Sequence, residues 1–363
     1  MIIGRCLFLF LVTCSSNSDE HVVPAFKVDA KAKAVIENAS VLEDILEPVA
    51  EIQLENSEEA LIGEFSEFSV GPEEQFIIID RTMRRMLIFN RLGRWLHTVT
   101  YDDILGPGKK YTRICKAVFW SNRELLVSFL NIPYLYLVNL DSPSSVGKIL
   151  VKDNAHIVNF VVAPKKQILT LIFDYSRKQQ AEFRLMSITG KTLKEVKEMS
   201  SNIMPNLFAL TLSFNSLTLD QYGFAYFSNS YEPKVYKYDF KGKSKTVFSQ
   251  NPPLFAGPAN DIPPGMSVSI KKQVEEMQNT LLDLFLLDNG LLIVAYAKRM
   301  SVFYNFVDIN GEWLTKPFQP TDREMYIAAV SGYYLYSIIQ SEPDDDGNFG
   351  NPKIFKFRIS EDL

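Results

Sequence analysis

The sequence is short of the side chains that hold metals or cross-link strands, with three cysteines and three histidines in 363 residues. Cys6 and Cys14 fall at the very start, so Cys115 alone belongs to the body of the chain and no disulfide can close within it. His21 also lies early. That leaves His97 and His156, and no Cys or His pair has zinc-ligand spacing. No Gly-x-Ser-x-Gly elbow and no phosphate-binding loop is present, and Gly106-Pro107-Gly108 reads as a rigid turn. Positive charge is not in excess: 38 Lys and Arg against 43 Asp and Glu give a net charge of -5. Such a chain has no general attraction for a polyanion, and no nucleic-acid partner is expected. Long apolar runs are missing too. The seven residues Cys6 to Val12 cannot cross a hydrocarbon core that needs about 20.

What is present begins with a targeting segment: Arg5, the apolar run to Val12, then Thr13-Cys14 followed by polar Ser15-Ser-Asn-Ser-Asp-Glu20. A cysteine so placed resembles a bacterial lipoprotein signal, which implies residues 1–14 as the signal and Cys14 as the lipidated first residue. Thr13 departs from that pattern, where Gly, Ala or Ser is preferred. The alternative is an ordinary secretory signal cut elsewhere, giving a secreted or periplasmic protein. Residues 15–39, polar and low in aromatics, are expected to be a tether. Ser40-Val-Leu-Glu43 has the form of a capping box opening a short helical turn.

From residue 40 the chain repeats one unit. In Gln75 to Val99, two β-rich runs flank a polar Arg81 to Arg85 loop, and Asn90-Arg-Leu-Gly93 leads to a third run. Leu61 to Val70 precedes it as an inner strand. Further sets of runs follow, the fourth expected over Leu207 to Ser213, Tyr222 to Ser228, Lys234 to Phe240 and Lys243 to Phe248. Glycine recurs before the last run as Gly93, Gly147, Gly190, Gly242 and Gly311, as a two-residue hairpin with positive φ requires. The sixth set is one strand short and Val49 to Leu54 is one strand spare. Pairing it with Lys353 to Ile359 closes a ring. The expected fold is therefore all-β: a six-bladed β-propeller over 40–363, four antiparallel strands per blade, with one helical insertion at about 251–279. A TIM barrel would need eight helices.

The stretch Ser40 to Glu55, Leu61-Ile-Gly63, Ile79-Asp80 followed by Ile88-Phe89-Asn90 and Gly93, and Gly106-Pro-Gly108 resemble six-bladed β-propeller lipoproteins of Bacteroides-type bacteria, related in architecture to NHL-repeat propellers. Asn90 stands where that family has aspartate, and Lys109 where it has glutamate. The resemblance implies a cell-envelope protein, outer-membrane or surface-anchored, and carries no catalytic residues.

The loops expected around the channel mouth are basic in an acidic protein: Arg81, Arg84 and Arg85; Lys109, Lys110 and Arg113; Arg177 and Lys178; Lys298 and Arg299. Tyr111, Tyr175 and Tyr231 sit among them. Guanidinium forks bind carboxylates bidentately and aromatic rings stack on apolar sugar faces, so these are the candidate ligand-binding residues. Scattered, solvated loop charges are the plainer reading. Glu342-Pro-Asp-Asp-Asp-Gly347 falls short of a calcium loop, since Lys353 occupies the place of the bidentate glutamate. No cofactor is expected, and a channel calcium has no motif behind it. Three roles follow: non-catalytic binding or scaffolding of a glycan, peptide or envelope protein; a propeller hydrolase or lyase with a carboxylate-held channel metal; or a purely structural envelope subunit. Membrane contact is expected through the lipid anchor alone.

Overall fold

The computed structural model describes residues 30–108, 112–163, 166–174, 180–196, 216–220, 222–228, 234–239, 244–249, 280–298, 301–314, 317–321, 326–339 and 350–360. They form six antiparallel sheets, five of them built from strands that follow one another along the chain. The first blade takes β2 (Phe65–Val70), β3 (Phe76–Asp80), β4 (Arg85–Phe89) and β5 (Trp95–Thr100). The second takes β6 (Ile114–Ser121), β7 (Glu124–Phe129), β8 (Tyr134–Asn139) and β9 (Ser142–Leu150). The third takes β10 (Ala155–Ala163), β11 (Gln167–Asp174), β12 (Gln180–Met186) and β13 (Thr192–Val196). The fourth takes β14 (Ser216–Leu219), β15 (Phe224–Ser228), β16 (Lys234–Asp239) and β17 (Ser244–Ser249), and the fifth β18 (Thr280–Leu286), β19 (Leu291–Lys298) and β20 (Ser301–Asp308). In the fifth, Trp313 and Phe318 bridge to Val307 and Tyr304 where a fourth strand would lie.

The sixth blade joins the two ends of the chain: β21 (Ile327–Ser331), β22 (Tyr334–Ile339), β23 (Lys353–Ile359) and, outermost, β1 (Leu46–Gln53). Leu46 pairs with Ile359 and Gln53 with Lys353, which closes the ring as expected and covers the edge of β23. The strands β2, β6, β10, β14, β18 and β21 neighbour one another in turn around the axis. Six blades form one β-propeller.

Middle strands are apolar on both faces because each blade is covered by two others. All five residues of β3 are buried. Its Ile77 and Ile79 share a core with Ala117, Leu125 and Val127 of the second blade, while Phe76 and Ile78 share one with Tyr336 and Ile338 of the sixth. Each such side chain contributes about 1.5–3 kcal/mol by leaving water.

Three expectations change in detail. The recurring glycine closes a longer turn than a two-residue hairpin: Gly93 N donates to Asn90 O at 2.9 Å while Asn90 N donates to Arg94 O at 2.9 Å, with Gly93 at φ 76. That is a turn with a left-handed glycine before the strand resumes, and Gly190 and Gly311 repeat it. Gly147 does not; it lies inside β9 opposite Leu137, and the second blade turns at Leu140-Asp141, where Asn139 Oδ1 accepts from Asp141 N. The inner strand of the fourth blade is β14; 207–213, like Gly242 and the insertion at 251–279, lies outside the described residues.

The N-terminal expectations change as well. The last nine residues before Ala39 form helix α1 (Ala30–Asn38), with Ala32, Val35 and Ile36 buried at helical spacing, so this part of the stretch expected as a tether is folded onto the propeller, while 15–29 lie outside the described residues. The next turn is a 3-10 helix, Leu42–Asp44, and its cap is Asp44, whose Oδ2 accepts from Ser40 N and Val41 N. Glu43 instead accepts from Thr321. A second helix, α2 (Tyr101–Leu105), connects the first two blades, capped by Thr100 and Asp103 and ended by Gly106 at φ 77.

Candidate functional site

Five of the six innermost strands carry a register break early in their course: between Phe65 and Glu67, Ile114 and Lys116, Ile157 and Asn159, Leu281 and Asp283, and Ile327 and Ala329. A bulge adds one residue to a strand and re-aims the side chains beside it. In four blades the residue after the break is polar or charged: Glu67, Lys116, Asn159 and Asp283. The fourth blade offers Ser216 at the start of β14, and the sixth Tyr326 just before β21. The result is a polar girdle around the channel, one side chain from each blade.

Its members interact across blade boundaries. Lys116 Nζ donates to Asn159 Oδ1 at 2.9 Å, and Ser216 Oγ to Asp283 Oδ1 at 2.6 Å. Asp283 Oδ1 also accepts from Leu284 N at 2.8 Å. Glu67 has no hydrogen-bond partner among the described residues, though it lies in the fields of Lys116 and Asp283. Tyr326 feels both acids.

Enclosure by protein pushes the Glu67 carboxyl up to about 7, against the opposing pull of Lys116 and with a smaller push from Asp283. Burial also raises Asp283, offset by Ser216, Leu284 N and Lys116. Both acids keep part of their surface open to the channel. Because the folded Glu67 binds its proton more tightly than an unfolded glutamate at 4.5, its contribution to stability is complete below pH 4.5 and is lost as pH rises to about 7.

The girdle lies toward one end of the channel. An innermost strand begins where the chain enters its blade, and the β3–β4 loop sits at that same end: Phe65 pairs with Asp80, and Arg81 N donates to Glu64 O at 2.8 Å. The expected basic mouth and the girdle therefore share an end.

The basic residues themselves are used in different ways. Arg81 is exposed, 3.8 Å from Glu64. Arg84, at φ 53, places its guanidinium 4.8 Å from the centre of the Tyr101 ring and donates to Thr112 O at 3.4 Å. Arg85 is turned inward: it lies 3.5 Å from Asp80 and donates to Glu59 O at 3.2 Å and to Leu61 O. Asp80, fully buried, accepts from Gly63 N, Glu64 N and Met83 N, so Asp80 and Arg85 clamp the loop to the segment that enters the first blade. Arg113 is half-buried beside Cys115 and His156. Cys14, Lys109, Lys110, Tyr111, Tyr175, Arg177, Lys178, Tyr231 and Arg299, and the acidic loop at 342–348, lie outside the described residues; Lys298 ends β19.

Two groups often associated with catalysis are quiet here. Burial and then Arg113 lower His156 to about 4, leaving a neutral ring whose Nδ1 accepts from Asn131 N at 3.2 Å. Burial pushes the Cys115 thiol up to about 11. Among the described residues, no three of His, Cys, Asp and Glu converge as metal ligands.

The chain matches no family model and no curated protein. Solved structures do resemble it. A Bacteroides fragilis protein classed as exported aligns over 89% of this chain and 97% of its own at 12% identity, with a TM-score of 0.57. The likeness is one of fold. A member of the DUF4221 family from Bacteroides vulgatus aligns over 87% and 98% at 10% identity, TM-score 0.53. Virginiamycin B lyase from Staphylococcus aureus aligns over 86% and 99% at 10% identity, TM-score 0.51.

The girdle was not foreseen from the sequence. Its members differ in type and each sits in a separate repeat. The available signal was a charged residue inside three otherwise largely apolar inner strands, at Glu67, Lys116 and Asp283.

Proposed function

We propose that this is an extracytoplasmic, lipid-anchored propeller that binds or scaffolds without catalysis, holding a glycan, a peptide or another envelope protein at the channel face. The observation that carries the reading is the girdle: six blades place polar side chains of both charges at one end of the channel, under a mouth that bears Arg81 and Arg84. Residues of this kind suit recognition by charge and hydrogen bonding. The exported Bacteroides neighbour supports a location outside the cytoplasm. The docking of α1 supports presentation of that face away from an anchor. Lys33 bonds Glu312 at 2.8 Å, in the hairpin at the opposite end of the fifth blade from the girdle.

Two outcomes follow. Cys14→Ser is expected to move the protein from the membrane to the soluble envelope fraction; a variant as membrane-bound as the wild type removes the lipid anchor from the reading. For the face itself, the protein is screened against anionic and neutral glycans and peptides, with Arg81→Ala and Arg84→Ala combined. An anionic ligand is expected to weaken by about tenfold in the double variant and to weaken as salt rises, because exposed charges are screened within about 8 Å at physiological ionic strength. Melting of the double variant separates lost binding from the lost Tyr101 contact. A tight ligand indifferent to both changes places the site elsewhere, and a near-stoichiometric metal in the purified protein overturns the non-catalytic reading.

A further inference from the structure

The girdle is unbalanced in a way that specifies what it lacks. It holds two carboxyl groups and one ammonium, and that ammonium is directed at Asn159 and forms no salt bridge with either acid. Glu67 takes no hydrogen bond from any described residue. Asp283 uses Oδ1 twice, for Ser216 and Leu284 N, and Oδ2 not at all among the described residues. With both acids ionised the three charges sum to one negative. Among the described residues, two acceptors thus face the channel with one positive charge missing.

The geometry points to a binding site for a single alkylammonium group, such as a lysine side chain of a peptide or protein partner, held between Glu67 and Asp283. This rests on the binding role proposed above and adds, at the girdle below the mouth, a cationic contact distinct from the anionic one expected at Arg81 and Arg84. An ammonium carries three donors, matching Glu67 and the open oxygen of Asp283, and it cancels the excess charge. A divalent cation matches less well. It would sit beside the Lys116 ammonium, and calcium takes six to eight oxygens, whereas the Asn159 oxygen already accepts from Lys116.

Binding is an exchange of cations. Glu67 keeps its proton up to about pH 7, and an entering ammonium is favoured by the ionised form, so that proton leaves to solvent as the ligand binds. The alkylammonium itself stays charged until about pH 10. Affinity should therefore climb between pH 6 and pH 8 and level off above.

The test uses the full chain and Nα-acetyl-lysine amide, a probe with one positive charge. Its counterpart acetylated at Nε is neutral, though longer by one acetyl group, and calcium chloride is a third arm. Calorimetric titration is expected to show the lysine probe binding about tenfold more tightly at pH 8 than at pH 6, with proton release into buffer, and the neutral counterpart at least about tenfold more weakly. Glu67→Gln, which keeps the shape of the side chain and removes its charge, should abolish the pH dependence and weaken the probe while the protein still melts cooperatively. Asp283→Asn should weaken it independently. Equal binding of the two probes, no binding of the lysine probe at millimolar concentration, or saturation by calcium alone each overturns the assignment. If the face screen yields a ligand whose affinity ignores Glu67→Gln, the amine site is wrong while the binding role stands; if no ligand is found there but the lysine probe binds the girdle, the reverse holds.

Discussion

A chain begun at Glu55 is expected to aggregate on purification, or, where soluble, to melt about 10 °C or more below the full-length protein. The truncation removes β1, whose pairing with β23 runs from Leu46–Ile359 to Gln53–Lys353, and exposes the backbone of β23 as an unpaired edge. It also removes Ile36, Leu42, Ile45, Leu46, Ile52 and Leu54, all buried. At about 1.5–3 kcal/mol each, these six side chains represent on the order of 10 kcal/mol, comparable with the whole stability of a typical domain. The surface ion pairs lost with them, Glu47 with Arg358 and Glu51 with Lys353, count for little, since exposed pairs contribute about 0–1 kcal/mol. Calorimetry and light scattering measure the effect. An unchanged melting midpoint would show that β1 does not hold the ring closed.

Ring closure could be read from the sequence because it is a matter of counting: one blade short of a strand, one strand short of a blade. The hairpin glycines were legible for a similar reason, since a left-handed turn position leaves a residue type behind. Gly147 misled because a glycine followed by lysine looks the same inside a strand as in a turn, while the true turn is at Leu140-Asp141, where the Asn139 side chain accepts from Asp141 N and no glycine is needed. The inner strand of the fourth blade was displaced because two β-rich runs, 207–213 and Ser216–Leu219, follow one another and composition does not rank them. Helix α1 was missed although Ala32, Val35 and Ile36 have helical spacing, because the stretch is polar and lacks aromatics. The channel was the least legible part. A bulge adds a residue without changing the pattern around it, and the meeting of Glu67, Lys116 and Asp283 exists only once the blades are closed into a ring.

The segment linking the last blade to the first also ties stability to the mouth, through a single buried side chain. Asn351 is fully buried, and its Oδ1 accepts from Ile62 N at 2.7 Å. Its Nδ2 donates to Glu55 O at 2.5 Å and Ala60 O at 2.8 Å. Its backbone N donates to Asn56 Oδ1 at 2.7 Å, and its carbonyl accepts from Gln53 Nε2 at 3.2 Å. One residue thus fastens 53–62 to the strand that precedes it in space and follows it by almost the whole chain. Asn351→Ala strands one N–H and two carbonyls, at about 1–3 kcal/mol for each buried group left unpaired, so a loss of roughly 3–5 kcal/mol is expected after relaxation. Hydrogen exchange should locate the damage: Ile62 N, Gly63 N and Glu64 N lose protection while the buried strands of the third blade keep theirs. The consequence reaches the candidate site, because the carbonyls of Glu59 and Leu61 hold Arg85, and Gly63 N and Glu64 N hold Asp80, on the loop that carries Arg81 and Arg84. Ligand affinity at the mouth should therefore fall in Asn351→Ala at temperatures where the ring is still folded. A variant that melts lower but binds as the wild type would show that the clasp supports the ring alone and leaves the mouth loop to fold by itself.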